Sequence, residues 1–224
     1  MFKHRSHTKE LLDGDVPKKD LFVNLRELHT INKLLGGYKV TLSTLKCLDL
    51  QHKTWVDIGS GGGNMLQQIK KYNEKRGIEA NLVGVDLKKT CVEYALQHQD
   101  REITFIQDDY RNSPKHIKQI DYLHACLFTH HLSDEEILEL IRFALINNTT
   151  LIINDLQRHW LAYYSIKILT QLFSKSYLVK NDAPLSVLRG FKKKEWEQYL
   201  KKAGAKQYSV QWKWAFRHLI IVNG

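Results

Sequence analysis

Residues 54–69 read Thr54-Trp55-Val56-Asp57-Ile58-Gly59-Ser60-Gly61-Gly62-Gly63-Asn64-Met65-Leu66-Gln67-Gln68-Ile69. A short apolar run reaches an acidic residue, glycines fill four of the next positions, and a helical pattern follows. Glycines so spaced let a chain turn tightly from strand to helix and let its backbone approach a bound ligand closely. The dinucleotide fingerprint requires a glycine at the position that Asn64 occupies, where helix and strand must meet. An acidic side chain at Asp57 also repels a pyrophosphate and tolerates a cationic ligand.

Outward from this turn, short apolar runs alternate with helical patterns, which argues for a mostly parallel sheet covered on both faces. The strand candidates are residues 54–58, 80–86, 103–107, 121–128 and 150–155, and helices are expected over 65–75, 89–98, 114–119 and 134–146. Two closing β-like runs, 206–212 and 217–222, are too near each other for a crossover helix and must pair antiparallel. Ahead of the sheet, Leu21, Leu25, Leu28, Ile31 and Leu34 recur at helical spacing until Gly36-Gly37, and a second helix is expected from Tyr38 to Leu45.

With Asp57, Gly59, Gly61 and Gly63 the chain resembles the first motif of class I S-adenosylmethionine-dependent methyltransferases, acidic-x-Gly-x-Gly-x-Gly. Their cofactor carries a sulfonium and an ammonium and has no phosphate. The resemblance covers about residues 50–224. It implies a Rossmann-like α/β doubly wound sheet of five parallel strands plus a C-terminal antiparallel hairpin, in the order 3-2-1-4-5-7-6. It further implies an N-terminal helical cap over 1–50, which either folds over the cofactor or simply covers the sheet, and a helical lid inserted at about 157–200. S-adenosyl-L-methionine is the implied cofactor and S-adenosyl-L-homocysteine the product.

Ligands of open α/β sheets sit beyond the carboxyl ends of the strands. At the end of the second strand Asp86 can accept from both ribose hydroxyls, or it caps the following helix; Leu87 then flanks the adenine. After the third strand, the family's acidic residue for the adenine amine maps onto Asp109 within Asp108-Asp109-Tyr110, with the Tyr110 backbone against the ring. Cys126 and Leu127, closing the fourth strand, lie against the methionine part. The Asn/Asp-Pro-Pro-aromatic signature of nucleobase amino-methylases is absent, since the chain reads Leu127-Phe128-Thr129-His130. No Pro-Cys pair makes Cys126 a nucleophile, so it reads as a buried structural thiol.

Methyl transfer from a sulfonium is an in-line displacement, and a base is needed only where the acceptor keeps its proton. His130 and His131 follow the fourth strand, where the methyl group emerges, and an imidazole can take a proton at neutral pH. His130 is nearer the strand end. Ser133-Asp134-Glu135-Glu136 is a capping box, so both histidines can equally serve the turn before a helix. The His-His-Leu-Ser-Asp run resembles the ubiquinone/menaquinone-biosynthesis type of methyltransferase, where it does not by itself imply catalysis. After the fifth strand, Arg158, His159, Trp160, Tyr163 and Tyr164 open an apolar, aromatic segment that suits a flat or lipophilic acceptor, or packs on the sheet edge. Residues 181–189 read as an ordered loop leading to a helix, with Arg189 facing the same pocket.

The chain has 224 residues, a hydrophobic content of 43% and a formal charge of +10. Cys47, Cys91 and Cys126 have no paired spacing, so no disulfide framework and no zinc site is expected, and no metal ligand is assigned. That, with no signal-like or membrane-spanning run, points to the cytoplasm. The positive charge raises nucleic acid as a partner, but the lysines around Phe191, Trp196, Tyr199 and Leu200 read as the solvated face of an amphipathic helix. The reading is therefore methylation of a small aromatic or lipophilic metabolite, oxygen before carbon. RNA methylation and non-catalytic cofactor binding are the alternatives.

Overall fold

A computed structural model describes residues 2–224. Seven strands form one sheet in the order β3-β2-β1-β4-β5-β7-β6. They are β1 (Thr54–Ile58), β2 (Asn81–Asp86), β3 (Thr104–Gln107), β4 (Tyr122–Cys126), β5 (Thr150–Leu156), β6 (Tyr208–Lys213) and β7 (Arg217–Val222). The first five run parallel, whereas β7 lies antiparallel between β5 and β6. The expected fold and strand order hold. So do the expected strands, each to within a few residues of its ends.

The central strands are buried on both faces, which explains their nearly unbroken apolar sequence. Val56, Ile58, Leu123 and Ala125 point to a core shared with α6 (Asp134–Ile146) and α9 (Lys193–Ala203). Trp55, Leu82, Tyr122 and Ile152 point the other way, to α2 (Gly37–Thr44) and α3 (Asn64–Glu74). The remaining helices are α1 (Lys18–Leu34), α4 (Lys89–His98), the short α5 (Ser113–His116), α7 (Trp160–Phe173) and α8 (Tyr177–Arg189). The capping box at Ser133 is formed, with the Glu136 carboxylate accepting from the Ser133 N–H at 2.8 Å.

Three expectations change. Residues 181–189 are not a loop but the second half of α8, which carries Pro184 inside it. A proline there removes one intrahelical hydrogen bond. The helix survives because Ser176 caps it and Leu178, Val179 and Val187 are buried. Second, the insertion overhanging the strand ends consists of α7 and α8, which pack on each other. The α9 helix belongs to the sheet's cover, where Trp196 and Leu200 are fully buried. Third, residues 2–17 form no α-helix, only a 3-10 turn at Leu11–Asp13. The turn is pinned by Asp182 of α8, whose carboxylate accepts from the Leu11 and Leu12 N–H groups at 2.9 Å each.

Among the described residues no helix is long and apolar enough to cross a membrane.

Candidate active site

One cavity of about 690 Å³ lies beyond the carboxyl ends of β1, β2 and β4. Its floor is the glycine turn. Gly59 has φ +60°, and a Cβ there would stand 2.2 Å from the Phe128 ring. Gly63, with φ +70°, starts α3, and a Cβ on it would meet the Phe105 ring at 2.5 Å. The glycines are thus required by backbone conformation and by aromatic side chains closing in from below.

Asp57, Gly59, Gly61, Asp86, Leu87, Asp109, Tyr110, Cys126 and Leu127 all line this cavity. Gly63 caps the helix just beneath. The Asp86 carboxylate accepts from the Gly61 N–H and the Lys88 N–H, each at 2.8 Å. It therefore clamps the glycine turn to the end of β2 and shapes the turn before α4, and burial raises its pKa. Each of its oxygens keeps a lone pair for a hydroxyl donor. Asp109 caps the turn at Tyr110 and forms an ion pair with Arg111 at 2.6 Å, which holds its carboxyl below the usual range. Leu127, at the exit of β4, has φ +54°, a conformation non-glycine residues seldom hold outside functional turns. Burial pushes the Cys126 thiol up to about 12, so it is no thiolate nucleophile.

Asp57 is buried on the α2 side of the sheet at the cavity's edge. Its carboxylate meets His124 Nδ1 at 2.6 Å, and His124 Nε2 meets Thr41 Oγ1 at 3.0 Å. Asn154 Nδ2 donates to Thr41 Oγ1 at 3.1 Å and to the Gly37 carbonyl at 2.9 Å, while Arg217 donates to Asn32 Oδ1 at 2.7 Å. This buried polar chain ties the cofactor strand to the N-terminal cap. Arg217 lines the cavity and makes no ion pair among the described residues, so it is a buried cation facing ligand space.

At the far side, His130 and His131 lie together with ring centroids 4.2 Å apart. His130 Nδ1 meets Asp155 Oδ1 at 2.7 Å, and Asp155 also accepts from Thr129 Oγ1 at 2.6 Å. These bonds hold the Asp155 carboxyl well below the usual range despite full burial. His131 Nδ1 meets Asp13 Oδ1 at 2.7 Å. Facing both rings is Glu10, whose burial pushes its carboxyl up to about 7.

The substrate residues expected from the lid are placed elsewhere. Arg158 is buried, donating to the Gly190 and Phe2 carbonyls and pairing with Glu195; it ties the lid's base to α9. His159 caps α7, its Nδ1 accepting from the Leu161 N–H, and its ring stacks on Phe216. Tyr163 and Tyr164 pack edge-on against Phe2, and Trp160 is exposed. None of the five lines the cavity. The lid instead offers Ala162, Ser165, Ile166 and Leu169 from α7, with Val179, Ala183 and Val187 from α8. Arg189 is also committed, donating to Asp13 at 2.6 Å and to the His130 carbonyl at 2.9 Å. Sequence reasoning missed Glu10, Asp13, Asp155, His124 and Arg217. The acidic end of β5 and the Glu10-x-x-Asp13 pair were visible in the chain, but only packing brings them to the histidines.

The donor set fits S-adenosylmethionine: acidic groups and backbone at a glycine turn, and a carboxylate for a ribose. Residues 56–145 match the family described as a methyltransferase domain. Sheet order and glycine turn are those of the class I S-adenosylmethionine-dependent methyltransferase fold, and that match falls on the same residues. The fold is shared with the plantazolicin methyltransferase BpumL in complex with S-adenosylhomocysteine, at TM-score 0.65 and 19% identity over 95% of this chain and 92% of that one. Human N-acetylserotonin methyltransferase, in complex with S-adenosylmethionine, aligns at TM-score 0.63 and 16% identity, over 92% of this chain and 56% of that one. The CMeT domain of the citrinin polyketide synthase aligns at 0.56 and 13%, over 80% and 48%. At such identities the likeness is one of fold. No curated protein matches the chain by sequence.

Proposed function

We propose that the protein transfers a methyl group to a small aromatic or lipophilic metabolite, at oxygen in preference to carbon. The observation that carries this reading is the cavity that runs from the glycine turn to the apolar inner faces of α7 and α8. Its polar end is one cluster of imidazoles and carboxylates. An apolar wall with a few convergent polar groups suits a compact, flat acceptor with one ionisable oxygen. The structurally similar proteins named for N-acetylserotonin and polyketide chemistry agree with an acceptor of that class.

S-adenosylmethionine supplies an activated methyl group when bound. Asp86 and Leu87 would hold its ribose and adenine, Asp109 and the Tyr110 backbone its base, Asp57 and the β4 exit its methionine part, and Arg217 its carboxylate. The protein's own work is alignment and exclusion of water. His130 is the proton acceptor we assign: Asp155 fixes its Nδ1, leaving Nε2 toward the cavity, an arrangement suited to a general base. His131 and Glu10 orient the acceptor oxygen.

The test is a labelled-methyl screen across phenols, quinols and RNA, run beside a thermal shift with S-adenosylhomocysteine. Saturating product should stabilise the fold by about 2.7 kcal/mol at a hundred times Kd. Methyl incorporation should occur in phenolic acceptors and drop by about 10²–10⁴ in His130→Ala. Incorporation confined to RNA would overturn the acceptor assignment, and no stabilisation by S-adenosylhomocysteine would overturn the cofactor sites.

A further inference from the structure

Glu10, His130 and His131 present one carboxylate and two imidazoles whose ligating atoms all lie within 4.8 Å of one another. The distances from His130 Nε2 to Glu10 Oε1, 3.7 Å, and from His131 Nε2 to Glu10 Oε2, 3.9 Å, are too long for hydrogen bonds. They are close to the separation of two ligands on one small ion with bonds of about 2.0–2.2 Å. Both rings engage a carboxylate through Nδ1, His130 with Asp155 and His131 with Asp13. That is how metal-binding histidines are oriented, with the outer nitrogen on a carboxylate and Nε2 turned inward. Three carboxylates, Glu10, Asp13 and Asp155, gather here; Arg189 pairs with Asp13 at 2.6 Å and lies 3.9 Å from Glu10 Oε1, which also accepts from Ser186 Oγ at 2.8 Å, leaving Glu10 Oε2 the freer oxygen.

We infer that Glu10, His130 and His131 form a binding site for a first-row divalent transition metal ion. Two imidazoles and one carboxylate favour Zn²⁺, Fe²⁺, Co²⁺ or Mn²⁺ over Ca²⁺ or Mg²⁺, which prefer oxygen alone. All three side chains line the cavity, so such an ion keeps open positions toward it. The site rests on side-chain geometry alone; only its use rests on the proposed methyl transfer. In that use an acceptor hydroxyl binds the ion, loses its proton to solvent, and then forms its bond to the methyl carbon as the carbon–sulfur bond breaks. His130 Nε2 is a ligand in the metal-loaded protein and a base only in the metal-free one.

The experiment is calorimetric titration of the metal-free full chain with Zn²⁺ and with Co²⁺, read beside S-adenosylhomocysteine binding. One ion per chain is expected, with affinity falling more than about tenfold in Glu10→Gln, His131→Ala and Asp13→Asn. Retained S-adenosylhomocysteine stabilisation shows that each variant is folded. Unchanged metal affinity in a Glu10→Gln protein that still binds S-adenosylhomocysteine overturns the site. So does the absence of saturable binding in a wild-type chain that binds S-adenosylhomocysteine. Should the variants misfold, histidine NMR of the wild type decides. Zn²⁺ must shift the ring resonances of His130 and His131, and shifts confined to exposed histidines such as His52 overturn the proposal.

Discussion

At the scale of single residues, the glycine turn is over-determined by its neighbours. A methyl group on Gly59 would enter the Phe128 ring, 2.2 Å away, and would also strain a φ of +60°. Gly59→Ala should therefore abolish stabilisation by S-adenosylhomocysteine, and adding Phe128→Ala should restore part of it; wild-type binding by Gly59→Ala alone would refute this account of the turn. The turn and Asp86 are legible in the sequence because their roles depend on local spacing. Glu10 and Asp13 are not, because they reach the histidines through a non-helical segment pinned by a distant carboxylate, Asp182. The aromatic residues after β5 misled for a related reason. Composition announced a lid but could not say which side of α7 would face inward.

At the scale of elements, strands and most helices follow from the pattern, since periodicity and burial agree. The exception, α8, has turn-forming residues, Asn181-Asp182 and Pro184, in its middle. Asp182 spends its carboxylate on the N-terminal segment, so its polarity reflects a tertiary contact rather than a loop. The cap is joined to the sheet through Asn32, Arg217, Asn154 and Thr41. Arg217→Met should weaken S-adenosylhomocysteine binding by more than about tenfold, as expected for a lost charge-assisted contact. Amide exchange in residues 18–44 should quicken too. Unaltered affinity would remove Arg217 from the cofactor site.

At the scale of the whole molecule, stability should depend on pH through His218, buried on β7, where burial lowers its pKa. The unfolded chain accepts that proton near pH ~6.5, and the native one only at lower pH. The stability due to a neutral His218 is thus complete above pH ~6.5 and declines as pH falls toward the native pKa. Melting temperatures measured from about pH 7 to about pH 5 should fall less steeply in His218→Leu than in wild type. Parallel curves would exclude the residue. Asp13 and Asp155, whose carboxyls are held low, act in the same direction but only in more acidic solution.

Glu27 of α1 accepts from the Lys175 N–H at 2.9 Å and from Ser174 and Ser176, joining cap to lid between positions 148 apart in the chain. Two walls of the cavity, cap and lid, thus come from segments far apart in the chain. Bringing together positions so remote in sequence carries a loop-closure cost that the contacts must offset. The enclosure of the cavity therefore depends on these few side-chain contacts rather than on chain continuity between its walls.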